Sequence, residues 1–322
     1  MLGLATTDNK VAIRRTWDKP IINGFYQQIG RKLSYFGLPG PDIRDFIDWG
    51  EFLGWKTGVE FISARSQDQN EQKKKINKLQ TNIMLQGFNN EWELRRGSLE
   101  DIVMEYTDID GKKPAKLILE PGRKPRMEYE LHNWDFQGGL GYRTKKGEEA
   151  KRIEAIKTCI ALQKNHAFIF FLTLNVRHTL GDELMVYLEK QADELQSIEH
   201  KEILHWYAQQ GTKHGTEHLR LKAVVPLFIR KVSEVHSFDC YCYPPIYYEG
   251  WKEHLVHYAF ILSPKRTVLP SFSSQNILQV IELPIMHAKN GIIQLADEQH
   301  PGFILDSQDS SPEFLEKGVL LK

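Results

Sequence analysis

The chain has 322 residues and a mass of 37.4 kDa, with 42 Lys and Arg against 42 Asp and Glu. That balance excludes a polybasic chain built throughout to coat nucleic acid, and 41% hydrophobic with 26% charged residues excludes a disordered one. The length suits one large α/β domain with additions.

Cys159, Cys240 and Cys242 form no even disulfide framework and no C-x-x-C pair, so a reducing, cytoplasmic setting is expected. Cys240 and Cys242 are expected to point to opposite faces of a strand, and no metal centre is predicted. The first residues lack a basic-plus-apolar leader, and the longest apolar run, 167–174, is too short to cross a bilayer. A soluble protein with no membrane partner is expected.

In chain order, a short strand is closed by Tyr35-Phe36-Gly37-Leu38-Pro39-Gly40. Pro41 suits a first helical turn, and Ile43, Phe46, Ile47 and Phe52 recur at roughly helical spacing up to Gly54. Residues 57–62 read as a buried strand carrying Glu60 near its end. Residues 69–85 read as a helix with Ile76, Leu79, Ile83 and Met84 on one side. A third strand over 92–95 is followed by Ser98-Leu99-Glu100-Asp101.

The turn residues 108–111 open an inserted arm whose Lys112, Lys113, Lys116, Arg123, Lys124 and Arg126 make it the most basic part of the chain. A fourth strand over 127–136 ends in Asn133-Trp134-Asp135-Phe136. Residues 147–164 are an amphipathic helix with Ile153, Ile156, Ile160 and Leu162 inward. The run 167–174 lacks polar alternation, as a strand covered on both faces does. Helices follow over 182–208 and 218–235, the second with a kink or break expected at Pro226. Aromatic strands over 236–248 and 254–263 close the series, and so short a connection permits only antiparallel pairing. Weaker elements are expected over 277–283 and 291–295. Tyr243-Pro244-Pro245-Ile246-Tyr247 reads as strand-end turn chemistry.

Alternating strands and helices imply a mostly parallel sheet. Four polar or glycine-rich strand ends in a row outline a ligand crevice, because open α/β sheets bind at the carboxyl ends of their strands.

Five strand-helix units ending in an antiparallel hairpin resemble the class I S-adenosylmethionine-dependent methyltransferases. The resemblance covers roughly 33–263 and implies a Rossmann-like fold with S-adenosylmethionine as cofactor. It sets Phe36, Gly37 and Gly40 at the glycine-rich first loop, where backbone must approach the ligand without a Cβ in the way. It sets Glu60 where a carboxylate accepts both ribose hydroxyls, and Glu100 and Asp101 at the adenine. Asp135 and Phe136 fall where methyl donor and acceptor meet, with Asp135 the candidate for orienting or deprotonating the acceptor. Two departures stand beside it: G-L-P-G replaces G-x-G-x-G, and Asp135-Phe136-Gln137-Gly138 replaces the D-P-P-Y box of amino methyltransferases.

The implied organisation is an N-terminal extension (1–32), a methyltransferase-like domain (33–264) with its arm (107–127), and a C-terminal extension (265–322). The implied activity is methyl transfer to a nucleic acid or nucleotide-like acceptor, with the basic arm and Arg143, Lys145 and Lys146 as phosphate contacts. The alternative is a catalytically degenerate scaffold serving a protein complex. A nicotinamide-dependent Rossmann enzyme is a third reading, since Glu60 could hold a dinucleotide ribose. His132 and His178 are minor candidates near strand ends.

Overall fold

A computed structural model describes residues 7–60, 69–87, 91–105, 128–136, 140, 151–163, 166–175, 217–250, 254–265, 274–275, 285–296 and 319–321. The basic arm, Arg143, Lys145, Lys146, His178 and the helix expected over 182–208 lie outside the described residues.

The N-terminal segment is helical: α1 (Asp8–Ala12), a π-helical turn (Ile13–Asp18) and α2 (Lys19–Ile29). Pro20 occupies the first turn of α2, and Gly30, at φ 71, ends it in the left-handed conformation that glycine adopts without a Cβ penalty. There follow β1 (Leu33–Gly37), α3 (Arg44–Asp48), β2 (Leu53–Glu60), α4 (Gln69–Leu85), β3 (Trp92–Arg96), α5 (Leu99–Glu105), β4 (Leu131–Asp135), α6 (Lys151–Leu162) and β5 (Phe168–Asn175). After α7 (Glu217–Val235) come β6 (Phe238–Cys242), β7 (Ile246–Glu249), β8 (His254–Pro264), β9 (Ser274–Gln275), β10 (Met286–Lys289), β11 (Ile292–Leu295) and β12 (Val319–Leu321).

Among the described residues one sheet runs β11-β10-β7-β8-β5-β4-β1-β2-β3. Strands β1 to β5 are mutually parallel where they pair. Strand β8 is antiparallel to β5, and both β6 and β7 are antiparallel to β8. Strands β6 and β7 are one path interrupted at 243–245, where Pro244 and Pro245 cannot donate to the ladder. The core order is therefore 3-2-1-4-5, then a reversed strand, then a strand parallel to the first five. That is the Rossmann-like methyltransferase arrangement implied by the resemblance.

Helices cover both faces. Ile22 and Phe25 of α2, Phe46 of α3, and Leu79 and Ile83 of α4 pack on one side with Tyr35, Leu131 and Phe171. Val103 of α5, Ile156 of α6 and Phe228 of α7 pack on the other with Phe36, Trp134 and Phe170. All eight residues of β5 are buried, and each large apolar side chain removed from water there contributes about 1.5–3 kcal/mol.

Several expectations need correction. The helix expected up to Gly54 stops at Asp48, because Phe52 N–H bonds to the Trp49 carbonyl and turns the chain into β2. Ile47 and Met84 are exposed, and Leu162 is half-buried. Pro226 lies inside α7, which runs unbroken past it. Cys240 and Cys242 share one face with Phe238, as residues two apart in a strand must, while Tyr241 points to the other. No helix among the described residues is long and apolar enough to cross a membrane.

Candidate functional site

The crevice of a doubly wound sheet lies where strand order reverses, here between β1 and β4. Register sets Gly37 beside Asn133 on one side and Gly58 on the other. A Cβ on Gly37 would strike the Asn133 carbonyl oxygen and lie 2.6 Å from the Tyr35 hydroxyl. Glycine is required there by the chain's own packing. Gly40 differs: it has φ 64, and a Cβ there would meet nothing within 4 Å, so the loop opens toward free space. Between them, Pro39 rests on Gly58, whose Cβ would lie 3.1 Å from the proline ring.

Behind the loop, Asp45 of α3 is a buried hub. It accepts from Arg14 Nε at 2.9 Å, the Tyr35 hydroxyl at 2.7 Å and Asn133 Nδ2 at 2.7 Å. Burial and the Asp45 charge push the Tyr35 phenol well above its ordinary value. Tyr35 thus stays a neutral donor.

Asp135 ends β4, and its Oδ2 lies 2.5 Å from Lys10 Nζ of α1. Its side chain is 31% exposed and that of Lys10 15%, so the pair sits at the crevice mouth rather than in the core. Burial disfavours the Asp135 charge, but Lys10, backed by Arg14, outweighs it and holds the carboxyl below its usual range. Burial likewise opposes the Lys10 ammonium, and Asp135 and Tyr248 raise it above the usual lysine range. Both partners are ionised near neutral pH.

The other predicted residues are dispersed around this centre. Phe36 and Phe136 are buried in the core, with the Arg95 guanidinium 5.7 Å from the Phe36 ring centre and the Arg152 guanidinium 4.3 Å from that of Phe136. Glu60 ends β2 in register with Arg96. Ser98 caps α5 by accepting from the Asp101 N–H at 3.0 Å. Glu100, in that first turn, accepts from Arg152 Nε at 2.8 Å, and Asp101 is 3.5 Å from Lys151. His132 is fully buried among Phe36, Tyr129, Trp134, Phe168 and Phe170, and burial lowers it to about 4. It is a neutral core residue near physiological pH.

Sequence reasoning missed the N-terminal contribution: Lys10, Arg14 and Asp18 recur at four-residue spacing and meet Asp135, Asp45 and His257. Pro20 and Gly30, bracketing Ile21, Ile22, Phe25 and Ile29, were the available signal for its helix. No group of three or more metal-ligating side chains converges among the described residues.

No family model matches the chain, and no curated protein matches its sequence. Among solved structures, the chain is similar to magnesium protoporphyrin IX methyltransferase from Synechocystis PCC 6803, whose structure has SAH bound. The TM-score is 0.37 at 11% identity, covering 81% of this chain and 88% of the other.

Proposed function

We propose that this chain is an S-adenosylmethionine-dependent methyltransferase acting on a nucleic acid or nucleotide-like acceptor. The observation that carries the reading is the strand order 3-2-1-4-5 followed by a reversed strand, with Glu60 and Asp135 ending β2 and β4. The residues fit a cationic nucleoside. Gly40 turns through a left-handed conformation into open space, and Asp135 is an ionised carboxylate at the crevice mouth.

When bound, the cofactor supplies an electrophilic methyl group on a sulfonium centre. In this reading Glu60 accepts the ribose hydroxyls, Glu100 and Asp101 flank the adenine, and the Gly37–Gly40 loop gives the backbone its close approach. Asp135 orients the acceptor and takes its proton where the acceptor carries one. The Phe36 and Phe136 rings support the loop and the β4 end from the core side. Positioning does most of the work, since direct displacement needs alignment more than acid-base help. The basic arm would hold acceptor phosphates.

One pair of observations favours a second reading, a scaffold without catalysis: Lys10 already neutralises Asp135, and Pro39 rests against Gly58. Calorimetry of the full chain with S-adenosylmethionine separates the two. The enzyme reading expects binding, weakened about tenfold or more in Glu60→Ala by loss of charge-assisted hydrogen bonds. Absence of binding in both the natural chain and Lys10→Met rejects it. Tritium from labelled cofactor entering nucleic acid, and not protein, would identify the acceptor class.

A further inference from the structure

We propose that α1 is a hinged cover on the crevice, seated by Lys10 on Asp135 and Asn9 on the β7 and β10–β11 edges, which swings open where α1 meets the π-helical turn. The two halves of the N-terminal segment are held differently. Beyond the turn, α2 buries Ile21, Ile22 and Phe25 in the core, and the turn itself is pinned by buried Ile13 and by the buried contact of Asp18 with His257. Within α1 only Ala12 is buried.

The five residues of α1 are therefore held mainly by polar contacts. Lys10 meets Asp135 at 2.5 Å. Asn9 Nδ2 donates to the Glu249 carbonyl at 3.1 Å, and its Oδ1 accepts from the Gly291 N–H at 3.1 Å. Each of these groups is exposed or half-buried, so water can replace its partner on opening. A segment with few apolar contacts and solvent-reachable polar ones opens at low free energy.

The junction is suited to bending. The hydrogen-bond register changes from α to π at Ile13, and π turns interrupt the regular ladder at functional positions. The Ala12 carbonyl already accepts from the Thr16 hydroxyl at 2.7 Å, so it keeps a partner if α1 leaves. Opening uncovers an ionised carboxylate at the switch point, which then takes a cationic group in place of the ammonium. The identity of that ligand rests on the methyltransferase reading; the hinge does not.

An ideal Cβ on Gly291 lies 3.7 Å from the Asp8 Cβ, a spacing that a disulfide spans. The native cysteines are all buried, so the double variant Asp8→Cys/Gly291→Cys forms a reversible lock. Hydrogen exchange followed by mass spectrometry reads the hinge, and stopped-flow binding of S-adenosylmethionine reads its consequence.

In Lys10→Met, exchange at residues 8–12 should rise about tenfold, with 19–29 unchanged. The oxidised double variant should slow exchange at 8–12 and slow cofactor association about tenfold, both restored by dithiothreitol. Exchange at 8–12 matching that of 19–29 in both the natural chain and Lys10→Met overturns the hinge. So does equal association by the oxidised and reduced lock. Fast exchange at 8–12 with no cofactor binding in any form supports the hinge and rejects the ligand assignment.

Discussion

His257 Nε2 of β8 lies 2.8 Å from Asp18 Oδ1 of the N-terminal π turn, while its Nδ1 lies 3.0 Å from the Thr173 hydroxyl of β5. One imidazole thereby joins the N-terminal helix to two neighbouring strands. All three side chains are buried, so each depends on its partners for the hydrogen bonds that water would otherwise supply. Burial raises the Asp18 carboxyl, and His257 and Arg14 offset part of that rise.

Truncating Asp18 should therefore cost far more than a surface change. Asp18→Ala is expected to lower unfolding free energy by about 1–3 kcal/mol, because it leaves a buried His257 ring nitrogen without its hydrogen-bond partner. Asp18→Asn retains a hydrogen-bonding oxygen and should cost less. Urea unfolding at neutral pH measures both. A loss under about 0.5 kcal/mol for Asp18→Ala, the size of an ordinary surface substitution, would deny the contact its structural role.

His132 sets a stability dependence in the acid range. Burial lowers its pKa from the ordinary 6.5 to about 4. Between those values the unfolded chain binds a proton that the folded chain does not, so stability falls as pH drops from 6.5 toward 4. The full effect is about 3 kcal/mol. Glu130, held below its usual range by Ser34 and Arg31 against the opposing effect of burial, and Asp135 add further loss at lower pH. His132→Leu should flatten the slope above pH 4 and leave the carboxylate loss below it. Denaturation midpoints at half-unit pH steps test this, and an unchanged slope in His132→Leu would assign the acid sensitivity elsewhere.

The two loop glycines should respond differently to one methyl group. At Gly37 a Cβ meets the Asn133 carbonyl and the Tyr35 hydroxyl, so Gly37→Ala forces β1 and β4 apart at a cost of about 1–3 kcal/mol or more. At Gly40 the space is open and only φ 64 is unfavourable, so Gly40→Ala should cost about 1 kcal/mol. Thermal unfolding ranks the two. Equal losses would mean that the β1–β4 approach is looser than the register implies.

The contrast shows how far the residues could be read before the fold. The hydrophobic run of β5 and the short link before β8 were legible, because a buried strand lacks alternation and a short link forces antiparallel pairing. The bounds of α4 were legible from its polarity and spacing. The position of Gly37 was legible, but its reason was not: it depends on Asn133, which pairs from 96 residues away in sequence (133 − 37). The first turns of the N-terminal segment, α1 and the π turn, escaped because the stripe they turn inward carries Lys10, Arg14 and Asp18, and hydrophobic periodicity is blind to a face that docks by charge. Glu100 and Asp101 could be matched to a ligand role by position, yet their ion pairs depend on Arg152 and Lys151 of a distant helix.

The pairing of Glu100 with Arg152 makes a separable prediction. Both side chains are mostly buried, Arg152 Nε donates to Glu100 Oε1 at 2.8 Å, and the same guanidinium covers the Phe136 ring. A double-mutant cycle of Glu100→Gln and Arg152→Lys should return a coupling of about 0.5–3 kcal/mol, as expected for contacting residues. Arg152→Lys should be destabilising despite its conserved charge, because an ammonium lacks the planar fork and the stacking face. Phe136→Leu should then remove much of the difference between Arg and Lys, since the ring is what the guanidinium covers. A coupling indistinguishable from zero would leave α5 joined to α6 by apolar packing and the exposed Asp101–Lys151 pair.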